Sequence, residues 1–234
     1  MKAARRRFFY HGSPSLNLHQ RGQMDVYKTF EDLKQHEREG SDYRVRWRMG
    51  SSGIAILSIH GGEIEPGTTR IANAIAGWEH SFYAFEGIKR TGNLALHITS
   101  TRFDEPTAIE VVCRSDIIIS IHGSAEKAPV VHMGGLDEEL KRQIEGELLL
   151  SGFQVMGSGE LPYGAIDRMN ICNLCGRGMG VQLEISRGMR ERMFRDLSPD
   201  GRRHPTAVFV RFIDAVRKAI APFAVEVRPL QNTD

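Results

Sequence analysis

The stretch IAILSIHGGEIEPGT at residues 54–68 decides the predicted fold. Its first six residues are apolar apart from one serine, which is typical of a strand buried inside a sheet. The strand runs into His60 and then into a glycine-rich turn that carries Glu63 and Glu65. Glycine lets the backbone bend sharply and lets a small ligand approach it closely. The stretch therefore predicts a buried strand whose carboxyl end presents a histidine and a carboxylate.

Two further apolar runs carry a polar side chain of the same kind. IIISIHG at residues 117–123 contains His122 near its end, and VQLEI at residues 181–185 holds Glu184 alone. In α/β folds, binding sites gather at the carboxyl ends of the strands. We therefore expect His60, His122 and Glu184 to meet at one edge of a sheet.

Two histidines, one carboxylate and a separate glutamate base form the set of groups found in a mono-zinc hydrolase. The carboxylate ligand stays open at this point. His60-x-x-Glu63 has the spacing of carboxypeptidase ligands, whereas Glu65 is held in place by Pro66. Glu184 is the candidate base, because burial in an apolar strand raises the pKa of a carboxyl group. The alternative is that Glu184 forms an ion pair with Arg187.

Strand and helix patterns alternate along the chain, which predicts an α/β fold with a mixed, mostly parallel sheet. Residues 1–23 are expected to form a flexible extension, and residues 24–234 a single domain. Thr68 or Thr69 is the expected cap of the helix after the glycine-rich turn. Helices are predicted over residues 26–39, 68–77, 109–113, 137–150 and 206–219, and strands over residues 42–48, 54–59, 81–85, 94–98, 117–121, 130–133, 153–156, 181–185 and 225–227.

Composition narrows the class of protein. The 31 basic and 29 acidic residues nearly balance, so the net charge of the protein does not attract polyanions strongly. No nucleic acid is therefore expected as a partner. No window approaches the roughly 20 apolar residues of a membrane span. The first residues lack the apolar core of a signal peptide, so a cytoplasmic protein is expected. Cys172-x-x-Cys175 has no second pair at zinc-ribbon spacing, which favours a structural role.

Several motifs together resemble the phage poly-γ-glutamate hydrolase family over residues 24–228. The resemblance implies a zinc-dependent amidohydrolase with a single-domain, three-layer α/β/α core similar to that of zinc carboxypeptidases. It also implies that His60, Glu65 and His122 bind zinc and that Glu184 is catalytic. The position matching Glu63 is commonly glycine or another residue in the family, which leaves Glu63 here as an extra carboxylate beside the metal. The motifs are HGGEIEPGT (60–68), SFYAFEG (81–87), LHITSTRFDEP (96–106), SIHG (120–123), GGLDEEL (134–140), NICN (170–173) and GVQLEIS (180–186).

The implied reaction is the cleavage of γ-glutamyl amide bonds in an anionic polymer or a small amide. Such a substrate needs cationic groups for its side carboxylates, and arginine binds a carboxylate through two hydrogen bonds. The candidates for substrate binding are Arg70, Arg102, Arg187 and Asn170. A role of the protein in binding nucleic acid during phage replication, and an amidase for another N-acyl amino acid, are the alternatives.

Other polar residues near these motifs have two interpretations each. His97 is either a supporting histidine or a substrate contact. Asp104 and Glu105 are expected to fix their loop or to orient the ligand histidines. Asn173, like Asn170, is either a turn residue or a contact to a substrate carboxylate.

Overall fold

The computed structural model describes residues 25–157 and 164–224. The predicted extension at residues 1–23 and the predicted strand at residues 225–227 lie outside these ranges, so both stay predictions. The strands are β1 (Tyr43–Arg48), β2 (Ile54–Gly62), β3 (Ser81–Gly87), β4 (Ile117–Ser124), β5 (Val130–Gly134), β6 (Gln154–Gly157) and β7 (Val181–Ser186), and the helices are α1 (Phe30–Lys34), α2 (Thr68–Ala76), α3 (Pro106–Cys113), α4 (Glu138–Leu150), α5 (Arg187–Met193) and α6 (Ala207–Ile220).

The seven strands form one sheet in the order β1-β3-β2-β4-β7-β5-β6. The four central strands β3, β2, β4 and β7 run parallel to one another, whereas β1 and β5 are antiparallel to their central neighbours. β6 is parallel to β5. A parallel sheet must bury both of its faces, and the central strands are buried along nearly their whole length. The predicted mixed, mostly parallel sheet is confirmed.

Helices cover both faces of the sheet and give three layers. On one face, Ile56, Ile119 and Leu183 pack in one apolar cluster with residues of α2, α4, α5 and α6. On the other face, Leu57 and Ile118 pack with residues of α1, α3 and the short 3-10 helices Asn93–Leu96 and Ile171–Asn173. Alternate residues of β2 and β4 thus pack in the apolar clusters on the two faces of the sheet. Both strands are therefore continuous apolar runs in the sequence.

Local predictions were wrong in three places. Residues 94–98 were expected to form a strand, but the 3-10 helix Asn93–Leu96 lies there. The side chain of Asn93 fixes the start of this helix, because it accepts a hydrogen bond from the N–H of Lys89 and donates one to the carbonyl of Lys89. The predicted helix at residues 26–39 shrinks to α1. The cap of α2 is Gly67, in the left-handed region at φ 103°, and neither threonine. The sequence analysis also missed α5, whose sequence RGMRERM has little apolar periodicity.

An irregularity in β2 positions the candidate site. The register between β2 and β3 shifts between Ser58 and Gly61, and the pairing of β2 with β4 ends at Leu57 and Ser120. Ile59 packs on the α3 side of the sheet, and the ring of His60 also contacts that side, through the carbonyl of Ile98. A regular strand would send neighbouring side chains to opposite faces. The shift therefore places His60 on the same side as its partners.

Gly61 is required by this close packing. A Cβ atom at residue 61 would overlap Thr69 Oγ1 and would lie 3.0 Å from the carbonyl oxygen of Phe85. We expect Gly61→Ala to lower the free energy of unfolding in urea by about 1–3 kcal/mol, as overpacking does. Gly146→Ala in α4 is the matched control, because a Cβ atom there meets nothing within 4 Å. The control should gain about 0.5–1 kcal/mol from helix propensity. Equal stability of Gly61→Ala and the wild type would contradict the packing argument.

Candidate metal centre

His60, Glu65 and His122 meet at the carboxyl ends of β2 and β4. The Nδ1 atom of His60 lies 3.1 Å from Nδ1 of His122 and 3.2 Å from Oε1 of Glu65. Nδ1 of His122 lies 3.9 Å from Oε2 of Glu65. The ligand atoms of the three residues all lie within 4.8 Å of one another, and both histidines are buried. The structure thus brings together the three side chains predicted to bind zinc.

The far nitrogen of each histidine ring has its own partner. Nε2 of His60 lies 2.8 Å from the carbonyl oxygen of Ile98, which can only accept, so we assign the ring hydrogen to Nε2. Nε2 of His122 lies 2.9 Å from the Ser120 hydroxyl, which can donate or accept, so this contact is compatible with a hydrogen on Nε2. With the hydrogen on Nε2 in both rings, the two Nδ1 atoms carry lone pairs that face each other 3.1 Å apart. This arrangement fits a shared cation, since ligand histidines are commonly held through their second nitrogen.

The charges of the site also fit a cation. Burial lowers the pKa of His60 to about 4 and holds the pKa of His122 well below its usual value. Burial raises the pKa of Glu65, and burial together with the nearby charge of Glu65 raises the pKa of Glu184. The rings therefore stay neutral, while two carboxyl groups resist ionising side by side. A divalent ion would offset that cost, because its charge favours both carboxylates.

Glu184 lies beside this cluster in the neighbouring strand. It is in register with His122 across the β4–β7 pair, and its Oε1 atom lies 3.9 Å from Nδ1 of His122. The amide of Gln182 donates to Oε1 of Glu184 over 3.0 Å, and Asn170 donates to Gln182 over 3.1 Å. A chain of hydrogen bonds thus orients the predicted base.

The same chain changes the interpretation of Asn170. Its side-chain nitrogen binds Gln182, its side-chain oxygen accepts from the backbone of Cys172, and the residue is 4% exposed. We predicted a substrate contact, but both ends of this amide are used inside the protein. Asn173 is a turn residue, because its side chain bonds Ala165, Asp167, Leu136 and Gly180.

Glu63 faces away from the cluster. Its carboxylate forms an ion pair with Arg202, which is a residue far along the chain. The extra carboxylate expected beside the metal is therefore neutralised elsewhere, and Glu65 is the residue that reaches both histidines. The backbone N–H of Gly123 also donates to Oε2 of Glu65 over 2.8 Å and fixes its direction.

Arg190 was missed by the sequence analysis. It is 4% exposed, and it donates to the carbonyl oxygens of Ile185 (3.0 Å), Pro66 (2.7 Å) and Ser124 (2.7 Å). These atoms belong to β7, the turn after β2 and β4. The guanidinium therefore holds together the three segments that carry Glu184, Glu65 and His122. An arginine in a run of charged residues gives no sign of this role in the sequence.

A second missed residue is Asp25. It accepts hydrogen bonds from Nδ1 of His97 (2.7 Å), from the backbone of Thr99 and from Arg102 (2.6 Å). The His97 ring stacks on His60 with centroids 3.9 Å apart. The predicted substrate residue Arg102 is thus paired with Asp25, while His97 supports His60 and also lines the open cleft beside it.

The remaining predicted residues fall in several places. Arg187 lines the cleft and pairs with Glu191 over 2.7 Å, so it does not neutralise Glu184. Arg70 lines a different cavity on the other side of the turn.

Asp104 and Glu105 fix their loop by accepting hydrogen bonds from the backbone N–H groups of Phe30 and of Ala108. Cys172 and Cys175 are buried, unpaired by any disulfide and hydrogen-bonded within the loop, which supports a structural role.

The cleft beside the cluster has a volume of about 1050 Å³. Glu65, His97 and Arg190 line it together with apolar side chains such as Ile64 and Leu94. Charged residues of α5 and of the loop after it also line the cleft, among them Arg187 and Arg195. Its size is that of a small-molecule site, and its lining combines apolar side chains with many charged ones.

The protein is thus an α/β protein with a mixed sheet and a candidate metal site of two histidines and a glutamate, with a second glutamate beside it. The sequence profile of the poly-gamma-glutamate hydrolase family matches residues 27–215, and the chain belongs to that family. The resemblance predicted from the motifs is confirmed.

Relatives and solved structures agree with this family. The UPF0714 protein YndL of Bacillus subtilis (strain 168) is 39% identical over 171 residues, which are 73% of this chain and 67% of YndL. The structure of bacteriophage poly-gamma-glutamate hydrolase is 32% identical with a TM-score of 0.82, covering 85% of this chain and 98% of that one. A structure of YndL described as the zinc-free apo form is 34% identical with a TM-score of 0.78, covering 84% and 98%. Within residues 25–157 and 164–224, every helix is too short or too polar to span a bilayer.

The two carboxylates of the turn should differ in metal binding. We expect Glu65→Gln to lower the zinc content of the purified protein from about one ion per chain to nearly none, because the neutral amide is a far weaker ligand. Glu63→Gln is the matched control and should keep its zinc, since Glu63 pairs with Arg202. Elemental analysis after dialysis against a weak chelator measures both. Zinc loss in Glu63→Gln with retention in Glu65→Gln would reverse the assignment.

Proposed function

We propose that this chain is a zinc-dependent amidohydrolase that cleaves γ-glutamyl amide bonds, above all those of poly-γ-glutamate. The observation that carries the proposal is the convergence of both Nδ1 atoms on Glu65, with Glu184 3.9 Å from His122. The family supports the reaction, and the zinc-free description of the YndL structure supports the metal. His60, Glu65 and His122 are the residues that would hold the zinc ion. When bound, zinc supplies a Lewis acid for the amide carbonyl and makes water acidic enough to lose a proton near neutral pH.

Glu184 is the proton carrier in this proposal. Gln182 holds its Oε1 atom, so the carboxyl group keeps one orientation beside the histidine cluster. Burial and the charge of Glu65 raise its pKa, which favours uptake of a proton from the attacking water. The same proton is then available for the amine that leaves when the C–N bond breaks. One water and one amide thus give a carboxylic acid and an amine, with Glu184 returned to its starting form.

The cleft supports a substrate with side carboxylates. Arg187 and Arg195 line it together with the apolar side chains of Ile64 and Leu94. A γ-glutamyl unit carries a carboxylate on a short apolar stem, so it needs a cation and an apolar surface at close range. Arg187 is the predicted substrate residue that lines this cleft, and its partner Glu191 is exposed. A substrate carboxylate can therefore replace Glu191 at little cost, because an exposed ion pair contributes only about 0–1 kcal/mol.

Replacing the base should separate chemistry from metal binding. We expect Glu184→Gln to lower kcat on poly-γ-glutamate by a factor of roughly 10²–10⁴, the range for a lost general base, while zinc content stays near one per chain. Glutamine is close in size to glutamate, so the fold should persist. Product amines measured by ninhydrin, together with elemental analysis, test both statements. The control Glu110→Gln removes an exposed carboxylate of α3 and should leave kcat unchanged.

Two results would count against the mechanism and the substrate. Normal turnover by Glu184→Gln would remove Glu184 from the reaction. A wild-type protein that cleaves N-acyl amino acids but no γ-glutamyl polymer would keep the amidohydrolase and change its substrate.

A further inference from the structure

A second cavity, of about 320 Å³, lies on the other side of the turn that carries Glu65. We call it the arginine pocket, because five arginines line it together with a single glutamate: Arg44, Arg46, Arg70, Arg202, Arg203 and Glu86. The whole chain carries 31 basic and 29 acidic residues, so this concentration of positive charge is local. Such a surplus inside a concave surface attracts anions.

Three separate elements bring these arginines together. β1 has the sequence YRVRWR, and strand alternation points Arg44 and Arg46 to the same face of the sheet. That face also carries α2, which contributes Arg70 from its first turn. The 3-10 helix Gly201–Arg203 contributes the last two arginines. No single stretch of the sequence shows the cluster, because its members come from three distant segments.

The nearby carboxylates leave part of this charge free. Glu86 binds Arg44 at 2.6 Å and lies 3.7 Å from Arg46, and Glu63 pairs with Arg202. Among residues 25–157 and 164–224, the guanidinium groups of Arg70 and Arg203 form no ion pair. Both residues are exposed. Arg203 interacts electrostatically with Asp200 but does not pair with it, so two exposed cations among the lining residues are available to a ligand.

The arginine pocket and the cleft of the candidate metal centre share their walls. Glu65 and Pro66 line the cleft, whereas Gly62 and Gly67 of the same turn line the arginine pocket. The loop after α5 is divided in the same way, with residues 196–198 on the cleft and Pro199 on the pocket. Because the two cavities lie against the same turn and the same loop, only a ligand longer than the cleft could contact both.

We propose that the arginine pocket binds side-chain carboxylates of the same polyanionic chain whose amide bond lies in the cleft. The proposal rests on the proposed function for the identity of that chain. Arginine suits this role because its guanidinium binds a carboxylate through two parallel hydrogen bonds. The pocket is thus a second substrate site that acts on long chains and adds affinity by holding the polymer at two points.

The test measures polymer binding without turnover. In the Glu184→Gln background, the double variant Arg70→Ala/Arg203→Ala is compared with Arg90→Ala/Arg142→Ala, which removes two exposed arginines outside both cavities. Fluorescence anisotropy of labelled poly-γ-glutamate gives Kd for each protein, and circular dichroism with thermal melting verifies the fold. We expect Kd to rise on the order of tenfold for the pocket variant, as the loss of two charge-assisted contacts implies, and to stay unchanged for the control.

Turnover gives a second, independent reading. In the active protein, the pocket variant should raise KM for the polymer more than KM for a γ-glutamyl oligomer of two or three units, because the oligomer is too short to reach the pocket. The control variant should leave this ratio unchanged.

Three outcomes would overturn the proposal. The first is an unchanged Kd in the folded pocket variant, and the second is an equal loss in pocket and control variants, which would show a general charge effect. The third is displacement of the labelled polymer by single-stranded DNA at lower concentration than by unlabelled poly-γ-glutamate, which would assign the pocket to nucleic acid. A wild type that binds the polymer through this pocket but cleaves no γ-glutamyl bond would refute the proposed function alone.

Discussion

The guanidinium of Arg190 is the interaction on which the site depends. Its three hydrogen bonds reach Pro66, Ser124 and Ile185, and each of these carbonyls lies within two residues of a member of the site. Hydrogen bonds from a charged group contribute about 1.5–3 kcal/mol each. The N–H of Glu63 still bonds the carbonyl of Gly87 in β3, and beyond that bond this buried cation ties the turn to β4 and β7. Glu65 is positioned through it and through the N–H of Gly123.

The same region collects groups that are costly to bury. Two carboxyl groups and two imidazoles lie close together in the protein interior, and within residues 25–157 and 164–224 Arg190 is the arginine that acts on both carboxyl groups. Buried ionisable groups of this kind persist at functional sites because surrounding structure over-determines their positions. Here that structure is the sheet, which holds His122 and Glu184 in register, and the hydrogen bonds of Gln182 and Ile98. Burying these four polar groups side by side at the candidate metal site lowers the stability of the fold.

The positions of the central strands and the meeting of the two histidines were predicted correctly, because both depend on local sequence patterns. Continuous apolar runs identified β2, β4 and β7, and the rule for strand ends brought His60, His122 and Glu184 together. Contacts between residues far apart in the sequence could not be predicted from such patterns. The partner of Glu63 is Arg202, the partner of His97 is Asp25, and no spacing in the chain links either pair. The register shift in β2 was also invisible, since it depends on how β3 packs beside Gly61 and Gly62.

The contact between Gly123 and Arg190 has a consequence for the evolution of the family. A Cβ atom at residue 123 would lie 2.6 Å from Cζ of Arg190, so no larger residue fits there while the arginine keeps its place. A relative that carries a side chain at this position must lose or move the guanidinium in the same step. The two positions, although far apart in sequence, are therefore coupled sterically, and we expect a side chain at residue 123 to be tolerated only together with a change at residue 190.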